Sequence, residues 1–117
     1  MNKIYLIIIT ENQDTEIKAE KLGEKILNYE KNCKLISIEK YHTLENSFKL
    51  EFEILIYSEN INLINEVLAY SNKIVTPWLI YYNEENQSVE LIFNKSKFSK
   101  FRKNEFNVIN WMQIVYE

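Results

Sequence analysis

Few side chains in this sequence have the chemistry of a catalytic or metal site. His42 is the only histidine and Cys33 the only cysteine, which excludes a two-histidine metal site and an internal disulfide. A nucleophilic dyad of Cys33 and His42 would form only if the chain folded the two together; otherwise they are a core cysteine and a loop histidine. The single glycine excludes a glycine-rich phosphate loop.

Two glutamates form the other arrangement that could catalyse a reaction. Glu51 and Glu53 point to the same side of one predicted strand, where two carboxyl groups could act as acid and base. The simpler interpretation is a solvated strand face, because carboxylates need only face water. We favour that interpretation, and the sequence therefore predicts a protein that is not an enzyme and that uses no cofactor.

The strand that carries both glutamates is the clearest element of the sequence. Apolar and charged residues alternate from Phe48 to Glu53, which is the pattern of a strand with one buried and one wet face. Leu55 and Tyr57 then bring apolar groups to the charged side. This change indicates a strand near the middle of a sheet.

A second strand, at residues 3–10, is apolar on both sides, so both of its faces need cover. The available cover is the aromatic C-terminal segment, and a partner chain is the alternative. The aromatic residues of that segment are Phe98, Phe101, Phe106 and Trp111.

The whole chain of 117 residues, 1–117, fits a single domain with an ordinary core. Helices are predicted at residues 14–30, with Asp14 as the N-cap, and at residues 60–71. Further strands are predicted at residues 35–41, 74–82, 88–94 and 106–116, with Pro77 at an edge or a bulge. The element order βαββαβ with extra C-terminal strands predicts an α+β, ferredoxin-like sandwich with its first and third strands adjacent at the centre.

The distribution of charge is the remaining feature of the sequence that bears on function. The net charge is −3, a balance that argues against nucleic acid as the main partner, and no segment has the roughly 18 apolar residues of a membrane span. Residues 95–103 carry five basic groups, so the rest of the chain is strongly acidic. An acidic surface attracts a basic partner. The predicted partner-binding residues are Glu39, Glu45, Glu51, Glu53, Glu59, Glu84 and Glu85.

A small acidic α/β chain with a lysine- and phenylalanine-rich segment leading into Asn110-Trp111-Met112-Gln113-Ile114 resembles the immunity proteins of bacterial contact-dependent inhibition and other polymorphic toxin systems. The resemblance covers size, charge and architecture along the whole chain. It implies a cytoplasmic protein that binds a cognate toxin domain, often a nuclease, and blocks its active site. The seven glutamates above come from the charge pattern and not from the resemblance.

Two other functions fit the same predicted fold. A ferredoxin-like RNA-binding or regulatory domain would need exposed aromatic residues on the sheet, and Tyr5, Tyr57 and Tyr81 are the candidates. The basic segment could also contact RNA through Phe98 and Phe101, although we favour packing of both rings on the sheet. A small enzyme or ligand sensor would need a polar pocket, which the sequence does not locate.

Overall fold

The structure, a computed structural model, describes residues 2–28, 33–56, 60–85 and 88–116. Within them lie two α-helices, eight strands and a short 3-10 helix, Asn104–Val108. The helices are α1 (Glu16–Leu27) and α2 (Asn60–Asn72). The strands are β1 (Asn2–Thr10), β2 (Cys33–Lys40), β3 (Phe48–Ile56), β4 (Val75–Thr76), β5 (Leu79–Asn83), β6 (Ser88–Asn94), β7 (Lys100–Phe101) and β8 (Ile109–Tyr116).

Six strands form one antiparallel sheet in the order β2-β3-β1-β8-β6-β5, and β4 pairs with β7 in a small second sheet. The α+β class is confirmed, and so is the prediction that the first and third strands are adjacent, with Leu6 opposite Phe52. Strands β2 and β3 also pair, and they form an antiparallel hairpin.

The predicted ferredoxin-like order is not confirmed beyond these three strands. The place beside β1, where a βαββαβ domain has the strand that follows α2, is taken by β8. The predicted strand 74–82 is instead divided at Pro77 into β4 and β5. Proline has no N–H for a ladder, and Pro77 lies between the two strands and in neither of them.

Helix α1 begins one residue later than predicted. Its N-cap is Thr15, whose Oγ1 accepts a hydrogen bond from the Lys18 backbone N–H at 3.4 Å. Asp14 instead pairs with the Lys18 ammonium at 2.7 Å, and this hydrogen bond lowers the pKa of the Asp14 carboxyl. The predicted end at Glu30 lies outside the described residues.

Gly23 explains how closely α1 lies on the sheet. A glycine in a helix costs about 1 kcal/mol relative to alanine, so either close packing requires it or the loss is tolerated. A Cβ at this position would lie 3.3 Å from Leu50 Cδ2 and 3.7 Å from Phe52 Cζ. The helix therefore lies close to the sheet at Gly23, and a Cβ added there would have to displace the end of the Leu50 side chain slightly.

Both helices pack on the same side of the sheet. Ala19 and Ile26 of α1 and Val67 and Tyr70 of α2 belong to one cluster with the buried strand residues. Of the C-terminal aromatic residues, Phe101 and Phe106 join this side as well, contrary to the prediction that the segment covers the second face, whereas Trp111 does lie on that second face. Among them, Phe106 is fully buried in the cluster.

The difference arises because the chain that leads into β8 packs two of its aromatic rings, Phe101 and Phe106, on the helix side of the sheet. Phe101 packs edge-on against the buried ring of Phe93, with ring centroids 5.8 Å apart. Trp78 lies 5.8 Å from the same ring, and its indole N–H donates to the Val75 carbonyl. The segment therefore closes the helix side near β6, and no described helix lies on the other face of the sheet.

Candidate functional site

The best candidate site is the open face, which is the face of the six-stranded sheet opposite the helices. Strand alternation sends Ile4, Leu6 and Ile8 of β1 into the core, where each is at most 1% exposed. The intervening residues of β1 point the other way, and Tyr5 is 39% exposed. The strand pairings extend this face across all six strands.

One part of the open face, the charged half, is made by β2 and β3. Its residues are Lys34, Ser37, Glu39, Lys49, Glu51 and Glu53. The Lys49 ammonium lies 3.0 Å from the Glu51 carboxylate, and Lys3 on β1 lies 3.8 Å from Glu53. Because both central carboxylates have a lysine beside them, this surface is a set of paired charges and not a purely acidic patch.

The other part, the apolar half, is made by β1, β8, β6 and β5. Its residues are Tyr5, Ile7, Ile9, Trp111, Val115, Ile92, Leu79 and Tyr81. All of them except Ile9 are half-buried or exposed. Gln113 lies among them and donates to the Glu90 carboxylate at 2.7 Å, so this polar pair is satisfied within the surface.

The two halves meet at a shallow groove of about 530 Å³. Ile7, Ile9 and Trp111 form its apolar floor, and Leu44 of the β2–β3 loop and Lys49 form part of its wall. Such a groove fits an apolar or aromatic side chain of another molecule, with a charged group available at its rim.

The predicted partner-binding glutamates lie in three separate regions. These are the charged half (Glu39, Glu51, Glu53), the exposed β2–β3 loop (Glu45) and the exposed turn after β5 (Glu84, Glu85). Glu59 lies outside the described residues. The turn after β5 is at the opposite edge of the sheet from the β2–β3 hairpin, so these residues do not form one continuous surface.

Sequence reasoning missed the apolar half as a site. The apolar character of both sides of β1 was visible, but it was interpreted first as a need for cover by the C-terminal segment, with a partner chain as the alternative. The signal that would have identified the site is the alternation in β8, where Trp111, Gln113 and Val115 take the side opposite buried Met112 and Ile114.

The basic segment, residues 95–103, is partly fixed by internal contacts. The Lys95 ammonium bonds the Glu11 carboxylate and the Asn107 carbonyl, and the Arg102 guanidinium donates to the Asn72 carbonyl at 2.8 Å. These two cations therefore attach the basic segment to other parts of the same chain.

The prediction that both phenylalanine rings of this segment pack on the sheet is correct for Phe101 and wrong for Phe98. Phe98 is 68% exposed, and its ring lies 5.1 Å from the Lys97 ammonium. It lies at a turn in which the Ser96 N–H donates to Ser99 Oγ, and the turn directs the ring away from the core.

The potentially reactive residues are not brought together. Cys33 begins β2 and His42 follows its other end, and the ends of this eight-residue strand lie roughly 20 Å apart. Within the described residues, no group of three or more His, Cys, Asp or Glu side chains is placed to hold a metal ion. The pair Glu51 and Glu53 shares a face, as predicted, with lysines beside both carboxylates.

The aromatic residues proposed for RNA binding can be placed in part. Tyr5 and Tyr81 are 39% and 54% exposed and lie in one cross-strand row of the open face, which also contains Val115 and Glu90. Tyr57 lies outside the described residues.

Neither of the two described helices is long and apolar enough to cross a membrane. No family model matches this sequence, and no curated protein or solved structure matches it either.

Proposed function

We propose that this protein is a cytoplasmic immunity protein that binds a cognate toxin domain through the open face and blocks the active site of that toxin. The observation that carries the proposal is the pairing of an uncovered apolar half with a charged half on one continuous sheet surface. Buried apolar anchors surrounded by charged and polar groups are the usual anatomy of a specific protein interface.

The two halves would contribute differently to such a complex. An apolar or aromatic side chain of the toxin in the groove beside Trp111 would supply most of the affinity, because hot spots are desolvated and centrally placed. Glu39, Glu51 and Glu53 would guide basic groups of the toxin to the charged half and set the orientation. A nuclease with a basic active site is the toxin class that we propose, in keeping with the net charge of −3 of the chain.

The alternative is a ferredoxin-like RNA-binding or regulatory domain that stacks bases on Tyr5 and Tyr81. Their exposure in one row of the open face favours it. The charge of the same surface opposes it, because its described residues include three lysines, Lys3, Lys34 and Lys49, against four glutamates, Glu39, Glu51, Glu53 and Glu90. Phosphate binding requires a basic excess.

The test uses a toxin domain encoded beside the gene for this protein, with binding measured by calorimetry and toxicity measured in cells. We expect Trp111→Ala to weaken binding by about 2 kcal/mol or more, which is roughly 30-fold. We expect reversal of Glu51 and Glu53 together to lysine to weaken binding with little loss of stability.

The matched control reverses Glu20 and Glu24 together to lysine, because this changes the charge equally on an exposed part of α1, away from the open face. Circular dichroism melts confirm that each variant is folded. Unchanged affinity in both open-face variants would contradict the proposal. Salt-dependent binding of labelled RNA that is lost in a variant with both Tyr5→Ala and Tyr81→Ala would support the alternative.

A further inference from the structure

Strand β5 is an edge strand without the usual protection against pairing. It lies at the end of the six-stranded sheet, and all five of its residues are exposed. Four of them are large and apolar: Leu79, Ile80, Tyr81 and Tyr82. An exposed apolar edge offers unpaired backbone N–H and C=O groups to another strand.

The opposite edge strand of the same sheet, β2, has features that protect it against edge-to-edge pairing. It carries Lys34, Glu39 and Lys40, and its pairing with β3 is interrupted by a register shift between Leu35 and Ser37. Charges and bulges of this kind prevent edge-to-edge pairing. β5 has neither a charged residue nor a register shift in its pairing with β6.

We infer that β5 pairs antiparallel with β5 of a second copy of this chain, about a twofold axis that passes through Tyr81. This register places the two Tyr81 residues opposite each other and Ile80 opposite Tyr82, which gives aromatic and aliphatic cross-strand pairs at the centre, and it places Leu79 opposite Asn83 at the ends. All five strand residues pair, and the ladder ends before Pro77, which has no N–H to donate.

Charge in and around β5 also favours a second copy as the occupant. In this register Glu84 falls opposite Trp78 and Glu85 opposite Pro77, so no acidic residue faces its own copy. A basic or an acidic partner strand would find no complementary charge within β5, whereas an uncharged copy of the same strand meets no repulsion.

The resulting dimer would contain one continuous twelve-stranded sheet. It would not cover the charged half or the groove at Trp111, because β2 and β3 form the far edge of the sheet from β5. The inference does not rest on the proposed function: in the dimer the charged half and the groove at Trp111 stay open on each copy, whereas Leu79 and Tyr81 of the apolar half would lie at the seam between the two copies.

The experiment is sedimentation velocity of the pure full-length chain from low-micromolar to submillimolar concentration. We expect the wild-type protein to shift from monomer to dimer over this range. Tyr81→Lys and Tyr81→Glu should each raise the dissociation constant about tenfold or more, because each places like charges on the twofold axis. An equimolar mixture of these two variants should restore dimers, since the two charges then attract.

Two further variants separate edge pairing from other self-association. Ile80→Lys changes the helix side of β5 and should also weaken the dimer, whereas Ile36→Lys adds the same charge at an exposed residue of β2 and should leave it intact. A monomer at every concentration would overturn the inference. So would a dimer that Ile36→Lys dissociates, one that Ile80→Lys leaves unchanged, or a charge-swapped mixture that remains monomeric.

Discussion

The two faces of the six-stranded sheet are built by the same strands but have different roles. On the helix side, Leu6 and Phe52 face each other and are fully buried, and Gly23 allows α1 to approach Phe52 closely. On the open face, one residue further along each strand, Ile7 lies opposite Glu51 and both remain partly exposed. The comparison teaches that the helix side carries the stability of the fold, while the open face can be used for binding.

The largest effect is expected for a change on the helix side. Phe52→Ala removes a fully buried ring and should lower the free energy of unfolding by about 3–5 kcal/mol. Urea denaturation checks this value. Glu51→Ala, the neighbouring residue on the open face, is the control and should change it by about 0.5 kcal/mol or less. Equal losses in the two variants would contradict the assignment of separate roles.

A smaller effect is expected where α1 meets the sheet. Gly23→Leu forces a side chain between α1 and Leu50 and should cost about 1–3 kcal/mol of stability. Gly23→Ala is the matched control, because a gain in helix propensity of about 1 kcal/mol offsets a small shift of Leu50. Thermal melts of both variants measure the difference. A Gly23→Leu protein as stable as the wild type would show that α1 does not lie so close.

The smallest effect is expected for the paired charges of the open face. Lys49→Met breaks the contact with Glu51, and both side chains are about one-third exposed. Pairs of this kind contribute about 1 kcal/mol or less, so the denaturation midpoint should move little. Binding of the proposed toxin should change more than the stability of the protein does. Measuring both quantities at low and at high salt tests this expectation. A loss of stability comparable to that of Phe52→Ala would mean that the open face also supports the fold.

The sequence predicted the first half of the chain better than the second. Strict alternation in Phe48–Glu53 and the apolar run at residues 3–10 were sufficient to predict β3 and β1 and their adjacency. Alternation reports which side of a strand is buried, however, and does not report which strand is its neighbour. The pairing of β8 with β1 is a matter of tertiary packing, which the alternation in either strand does not specify.

The candidate site was predicted only in part for a related reason. The glutamates of the charged half were identified because charge is visible residue by residue. Lys49, which lies beside Glu51, belongs to the same strand, whereas Lys3, which lies beside Glu53, belongs to β1. The ion pair at Glu53 can therefore be identified only when the register between β1 and β3 is known. The groove likewise combines Ile7 with Trp111, which are more than a hundred residues apart in the chain.

The position of β8 has a consequence for synthesis of the protein. This strand lies between β1 and β6, so the ribosome must produce nearly the whole sequence before the sheet can close. Until then β1, already paired with β3 on one side, has an open edge on the other. A nascent chain that lacks β8 would present that edge to any neighbouring strand, which makes synthesis of β8 a condition for escaping misassembly.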